Sequence, residues 1–484
     1  MLDLWTDFFK VIAVFSILLL SATFLRAKIK FLQNFYVPNS VIAGILGFIL
    51  FSFSSKIFNI TSVNFNNYIY HLLGITFISL SLKKSEESKG KDALRTSFNF
   101  ALGYGIQAFI GFGLALFIFN RFFPKFNPIN GVLVQLGFSQ SPAVAHNIAL
   151  GWQNTIFANK ELGFSFIEDS GIMYSTDIGL TFGAIGFLIA IIVGVILIKY
   201  GIKKGYPVFL KDENTVEEYI KKGYIKDPDK KIEAGKQTTL SEAIDTLTLH
   251  IALILTIYII VYYLLKLFLF GIDFLPEGFI ALAKVIVSFH FIIGALLAII
   301  VKRIMYYFKI DFLLDNGIAN RISGLSVDYM VTISLTVISI KVIIDFIIPI
   351  VVISIIVGIF TLLYCMFFIS RSFTNYKFER LITIFGIATG TMATGIALLR
   401  VLDPEFKSPV ASDVMYGSGL AFFIGMPIML LINLPLKALE TQANWLNWLS
   451  LILVFVYIIV LIIIWRSLKL IKFERPLRNI FFIK

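Results

Sequence analysis

The residues of this chain that could do chemistry are few, and they gather at two places. One is the string Ser139-Gln140-Ser141-Pro142, followed by Asn147; the other is Thr389, Thr391 and Thr394 in a run dense in glycine and threonine. Hydroxyls and amides of this kind replace the water that a small ion or carboxylate sheds, because unsatisfied polar atoms are costly in an apolar medium. They also have a local use, since Ser and Thr in apolar helices bond back to their own backbone or cap a helix end. Asp177 lies inside an otherwise apolar run, where a carboxylate serves as a sodium ligand, a proton acceptor or an interfacial cap. Asp413 is its approximate counterpart after the second cluster, with capping as its simpler use. Arg400 and Asp403 follow Thr394. A guanidinium there either holds a carboxylate substrate by two parallel hydrogen bonds or pairs with the nearby acid. His146 beside the first cluster reads as a hydrogen-bonded structural residue, and Lys284 and His290 as snorkelling or packed polar groups.

The elements that must position these groups follow from composition. The chain has 484 residues, of which 58% are hydrophobic and 15% charged, with a net charge of +12. Its mean hydropathy is +0.87. Soluble domains carry about 45–50% apolar and about 25% charged residues, so this balance points to a polytopic all-α membrane protein. Cys365 is the only cysteine, which excludes an intrachain disulfide framework and a cysteine-based zinc site. His71, His146, His250 and His290 are scattered, and no catalytic dyad, Walker motif or dinucleotide fingerprint is present. An enzyme, a cofactor and an ATP-driven pump are therefore not expected, nor is a nucleic-acid partner.

A bilayer core needs about 20 apolar residues per helix. That rule places spans near 8–26, 37–54, 67–82, 98–120, 171–199, 245–270, 276–301, 322–340, 345–370, 411–436 and 446–466. The first is a retained span and no signal peptide, because its basic residues Arg26, Lys28 and Lys30 follow the apolar run. Segments 130–151 and 381–402 are as long as spans but are interrupted by Pro and Gly, which suits re-entrant or broken helices lining a cavity. With both segments returning to the side they entered, the clusters at Arg26–Lys30, Lys83–Arg95, Lys199–Lys204, Lys302–Lys309, Arg371–Arg380 and beyond Arg466 share one side. The positive-inside rule makes that side cytoplasmic, with the N-terminus outside and the C-terminus inside.

The two interrupted segments resemble each other. Gly137-Phe138-Ser139-Gln140-Ser141-Pro142-Ala143 leads into Ile148-Ala149-Leu150, and Gly386-Ile387-Ala388-Thr389-Gly390-Thr391-Met392 into Ile396-Ala397-Leu398. Each precedes a Met-Tyr pair, Met173-Tyr174 or Met415-Tyr416. Entering from opposite sides, they suggest an inverted repeat of the kind found in secondary transporters. The expected divisions are a first membrane repeat over 1–202, a polar cytoplasmic connector over 203–244, a second, inverted repeat over 245–440, and an additional helix with a basic tail over 441–484.

The chain resembles the bacterial sodium/glutamate symporter family. The resemblance rests on Tyr36-Val37-Pro38-Asn39-Ser40-Val41-Ile42-Ala43-Gly44, on Gly137–His146, on Gly390-Thr391-Met392-Ala393-Thr394-Gly395, and on Ala397-Leu398-Leu399-Arg400 with Asp403-Pro404. It implies two inverted five-helix repeats with re-entrant loops, a homodimer in the bacterial cell membrane, and sodium-driven uptake of glutamate by an elevator-like step. The string Ser139-Gln140-Ser141-Pro142-Ala143 departs from the Gly/His-rich break of better-known members, leaving a related carboxylate or another amino acid open as substrate. Two further readings stay open: a proton-coupled carboxylate exchanger or exporter, and a membrane sensor or scaffold that does not transport.

Overall fold

The computed structural model describes residues 7–54, 62–84, 90–159, 169–209, 218–227, 233–272, 290–403 and 407–472. Lys284, the first part of the expected span 276–301, Pro404 and most of the tail lie outside them. Every regular element among the described residues is helical. The first half contains α1 (Asp7–Lys28), α2 (Asn39–Ser54), α3 (Ser62–Leu82), α4 (Lys91–Leu114), α5 (Leu133–Ser139), α6 (Pro142–Ala158) and α7 (Ser175–Lys204). The second contains α8 (Thr246–Ile272), α9 (His290–Tyr307), α10 (Asn316–Thr336), α11 (Ile340–Ser372), α12 (Lys377–Thr389) and α13 (Met392–Leu402). It closes with α14 (Val410–Ile424), α15 (Met426–Leu431), α16 (Leu434–Thr441) and α17 (Trp445–Ser467).

Seven helices among the described residues are long and apolar enough to cross a membrane, and the bent pair Val410–Ile424 with Met426–Thr441 makes a further candidate. That bend of 48° falls at Gly425, which lies against the Tyr104 ring and is followed by Pro427, a residue with no amide to continue the ladder. The expected span 322–340 is displaced. Its helix, α10, begins at Asn316, where the Asp315 carboxylate caps it by accepting the Ile318 N–H at 2.9 Å. It stops at Thr336, and α11 starts at Ile340 instead of 345. Pro349 removes a rung near the start of α11, and Phe346 there departs from helical geometry (φ −123°, ψ 17°). The polar residues Asn316, Asn320, Arg321 and Asp328 keep α10 out of the apolar seven. Neighbouring helices cover it: Leu335 fills the space at Gly44 of α2, and the Ser79 hydroxyl of α3 donates to the Ala319 carbonyl at 2.7 Å.

The helices pack as two bodies. In one, α10 lies against α2 and α3, with α1, α8 and α9 around them; in the other, α4 and α7 hold α5, α6 and α11–α17. The bodies touch mainly where α6 and α7 meet α10, and where α6 meets α3. The last helix, α17, belongs to the second body. Its Trp465 is fully buried between Phe98 of α4 and Phe368 of α11, with ring centroids 5.8 and 5.3 Å away. The Tyr457 hydroxyl donates to the Ala101 carbonyl at 3.2 Å.

The basic clusters meet at one end of the helices. Lys302 donates to the carbonyls of Ser81 and Lys83, Arg95 to that of Leu470, and the Lys472 amide to Arg371. The described parts of the polar connector lie across this end. The Val208 amide donates to Glu379 at 2.6 Å, Arg26 donates to the Lys221 carbonyl at 3.3 Å, and Gly235 packs on Gly317 at the start of α10.

Candidate functional site

Helix α7 is the ruler against which the two interrupted segments can be placed. Asn130 accepts the Ser175 hydroxyl at 2.5 Å, Gly137 lies against Gly179 and Gly183, and Phe138 against Gly186, so α5 runs parallel to α7. After the break, Pro142 meets Gly183, Ala145 meets Gly179, and Gln153 donates to the carbonyls of Ile172 and Met173, so α6 runs back. The second segment mirrors this from the basic end. Phe378 packs on Gly201 and the Thr389 carbonyl on Gly186, then Ala190 of α7 faces Gly390 and Gly194 faces Leu398. Both segments are therefore helical hairpins, running in from opposite ends of α7 and meeting beside Gly186. A Cβ on Gly186 would lie 2.4 Å from the Thr389 carbonyl oxygen and 2.8 Å from the Phe138 ring, so glycine is what lets the breaks converge.

On the other side of the meeting point stands Gln107 of α4, fully buried. Its Nε2 donates to the Ala388 carbonyl at 2.8 Å and to the Thr361 hydroxyl at 2.9 Å. The Ser139 hydroxyl lies 2.5 Å from Gln107 Oε1 and 3.0 Å from the Ala388 carbonyl. One amide thus joins the end of α5, the end of α12, and α11.

The breaks differ in what they leave open. At the first, Ser141 accepts the Val144 amide at 3.1 Å and Pro142 has no amide, so the start of α6 is largely self-capped. At the second, Thr391 is the N-cap of α13 and makes no side-chain cap bond; its hydroxyl faces that of Thr394 at 3.4 Å. The amides of Met392, Ala393 and Thr394 are the ones a helix start leaves without intrahelical partners. That end favours an anion, whereas the carbonyls ending α5 favour a cation.

The remaining candidates fall at different levels. Gln140 reaches the Met429 sulfur at 3.5 Å, and the Thr389 hydroxyl returns to the Phe385 carbonyl at 2.8 Å. Asn147 and His146 are buried in α6, and none of their side-chain polar atoms has a hydrogen-bond partner among the described residues. His146 is thus not the hydrogen-bonded structural residue expected from sequence. Asp177 lies nine residues before Gly186 in α7, about 13 Å along the helix. Its Oδ1 accepts the Ser339 amide at 3.0 Å, tying α7 to the start of α11. Asp403 accepts the amides of Lys407 and Ser408 and the Ser408 hydroxyl, tying those two residues to the end of α13. Arg400 is half-buried in the last turn of α13. Asp413, in the first turn of α14, pairs with the fully buried Arg380 at 2.7 Å.

Gln107, Thr361 and Gly186 were not among the residues singled out from sequence. A signal for Gln107 was present: it is an amide in the otherwise apolar run from Ala108 to Leu116 and its preceding turn. Among the described residues no group of three or more His, Cys, Asp or Glu is placed to hold a metal ion. A cation at the breaks would therefore be met by hydroxyl, amide and carbonyl oxygens, which suit a hard monovalent ion.

Long apolar helices around two opposed helical hairpins, as the described residues show, have the form of a secondary transporter. The chain belongs to the sodium/glutamate symporter family, whose model matches residues 4–408. The match ends before α14, so α14–α17 lie beyond it. No curated protein and no solved structure matches the chain.

Proposed function

We propose that this protein is a sodium-coupled symporter that takes up glutamate or a similar small carboxylate through the meeting point of its two hairpins. The observation that carries this reading is the convergence of the breaks beside Gly186, one presenting carbonyl ends and the other helix-start amides. The substrate carboxylate is held at the start of α13 by the amides of Met392 to Thr394, with Thr391 and Thr394 supplying hydroxyls. Sodium sits at the end of α5, where Ser139 and the last carbonyls replace its water. Gln140, Ser141, Asn147 and His146, at and after the first break, select among carboxylates, and Asp177 offers its second oxygen to an incoming ion at the opposite end from the basic face. Asp403 fixes the far end of the second hairpin through Lys407 and Ser408, and Arg400 lies at that same end in the last turn of α13.

The same reading takes residues 1–202 and 245–440 as inverted repeats, joined by the connector 203–244 and followed by the added helix in 441–484. Corresponding helices support it: α1 packs on α2 as α8 packs on α9, and α2 on α10 as α3 on α9. The basic end then faces the cytoplasm, and two copies assemble in the membrane.

The test is uptake of labelled glutamate into proteoliposomes holding the full chain, driven by an inward sodium gradient. Uptake that vanishes when sodium is replaced by choline is expected. No sodium-dependent uptake of glutamate, aspartate or a dicarboxylate overturns the proposal, and uptake driven by a pH gradient alone supports the proton-coupled alternative.

A further inference from the structure

We infer that Gln107 is a positioning residue that transmits sodium occupancy at the first break to the substrate end of the second, an inference that rests on the sodium-driven reading above. The argument begins with proton counting. The Thr361 hydroxyl donates its only proton to the Val357 carbonyl at 2.7 Å, so towards Gln107 it can only accept. The Ala388 carbonyl also can only accept. Both therefore require the amide nitrogen of Gln107, which fixes the side chain with Oε1 towards Ser139. The opposite amide orientation would set oxygen against two acceptors in a fully buried position.

The orientation of Gln107 in turn fixes Ser139. Its one proton goes to Gln107 Oε1 at 2.5 Å or to the Ala388 carbonyl at 3.0 Å, and both choices use it inside the protein. Ser139 Oγ is left with lone pairs alone. It is an acceptor, suited to a cation and unable to donate to a carboxylate.

A cation drawn to Ser139 pulls on the oxygen that Gln107 holds. The other end of the same planar amide holds the Ala388 carbonyl, three residues before Thr391. The Cβ space at Gly186 fixes Thr389 on the opposite side, so a shift of Ala388 is passed forward into the turn at Gly390 and the amides of α13. Apart from Ser139 itself, whose single proton is shared between Gln107 Oε1 and the Ala388 carbonyl, Gln107 is the side chain that bonds both hairpin ends among the described residues. The linkage is reciprocal: what sodium does for the substrate, the substrate does for sodium.

The readout is the ratio of substrate affinities with and without sodium, measured by equilibrium binding of labelled glutamate to the purified full chain. A ratio is independent of the fraction of protein that is active, so a merely structural role for Gln107 would lower the amount bound and leave the ratio unchanged. Wild type is expected to bind more tightly in sodium than in choline. Gln107→Met should bring the ratio down by about tenfold, towards one. Gln107→Asn keeps a buried amide that is a methylene too short to span both breaks; it should fall likewise and decides the matter if the Met variant does not fold. Gly324→Ala, on α10 with nothing within 4 Å of its Cβ position and no part in the breaks, should keep the wild-type ratio. Sodium-dependent wild-type binding with an unchanged ratio in the folded Gln107 variant overturns this inference while leaving the transport reading intact. Wild-type glutamate binding that ignores sodium removes the transport reading and this inference together.

Discussion

Arg380 and Asp413 form an ion pair at 2.7 Å in which the arginine has no exposed surface. The same Nη2 reaches Asp92 of α4 at 3.1 Å, and Asp92 is held by Arg95 at 2.5 Å. The guanidinium lies over the Phe373 ring, 4.4 Å from its centroid. A buried charge left without its partner costs about 3–5 kcal/mol. Asp413→Ala should therefore lower the melting temperature sharply, because Arg380 stays buried and keeps only the more exposed Asp92. Replacing both partners by apolar residues, as in Arg380→Met with Asp413→Leu, should recover much of that loss. Thermal melting of the detergent-solubilised protein checks both, and a wild-type melting point for Asp413→Ala would show that the pair carries no such role.

Gly186 is required by the geometry of the breaks and not by its own backbone. An added Cβ would lie 2.4 Å from a backbone oxygen, and backbone cannot swing away as a side-chain tip can. Overpacking of this kind costs about 1–3 kcal/mol. Gly186→Ala should therefore separate the hairpins and abolish sodium-dependent uptake while the protein still reaches the membrane. Gly324 of α10 has nothing within 4 Å of its Cβ position and is the control. Gly324→Ala should keep transport and gain about 0.5–1 kcal/mol from helix propensity. Equal transport by the two variants would mean that the breaks do not need this close approach.

How much of this was legible in the sequence depends on the range of the physics involved. Spans such as Trp445–Ser467 and the interruptions at Pro142 and Gly390 are local: run length, a missing amide and a missing Cβ write themselves into a few residues. The ends of α10 were not legible from hydropathy, because the Asp315 side chain caps its start and its last turn closes at Val337, just before the Ser339 amide meets Asp177, while the apolar run continues past Thr336. Arg371 and Arg380 read as flanking charges that mark one side of the membrane. They do lie at the basic end, yet both are buried, and Arg380 joins three helices. Gln107 shows the same limit at the site. Its chemistry depends on Ser139, Thr361 and Ala388, which lie 32, 254 and 281 residues away along the chain. No window along the sequence contains that arrangement.

Asp177 separates charge from hydrogen bonding. Its Oδ1 holds the Ser339 amide at 3.0 Å, and its Oδ2 has no hydrogen bond among the described residues. Asp177→Asn retains an oxygen for Ser339 and loses the charge, whereas Asp177→Ala loses both. A unit charge 4 Å from a cation in a water-like medium is worth about 1 kcal/mol, or about fivefold in affinity. The Asn variant should thus melt as wild type and need about fivefold more sodium for half-maximal uptake. The Ala variant should also lose about 0.5–2 kcal/mol of stability with its cap-like bond. An unchanged sodium requirement in Asp177→Asn would assign this residue to the α7–α11 contact alone.

His146 gives the opposite sign for stability and function. Both ring nitrogens are buried without a hydrogen-bond partner among the described residues, although the residue is only 2% exposed. Leaving a buried polar group unsatisfied costs about 1–3 kcal/mol, a cost that a bound substrate can relieve by supplying the missing partner. In the absence of substrate, His146→Leu removes that cost at similar volume, and the variant should melt higher than wild type. Its glutamate affinity in sodium should fall about tenfold or more, because the ring can no longer bond the ligand. Glutamate should accordingly raise the melting temperature of wild type and leave that of the variant nearly unchanged. A variant that is less stable than wild type yet binds glutamate equally well would return His146 to a packing role.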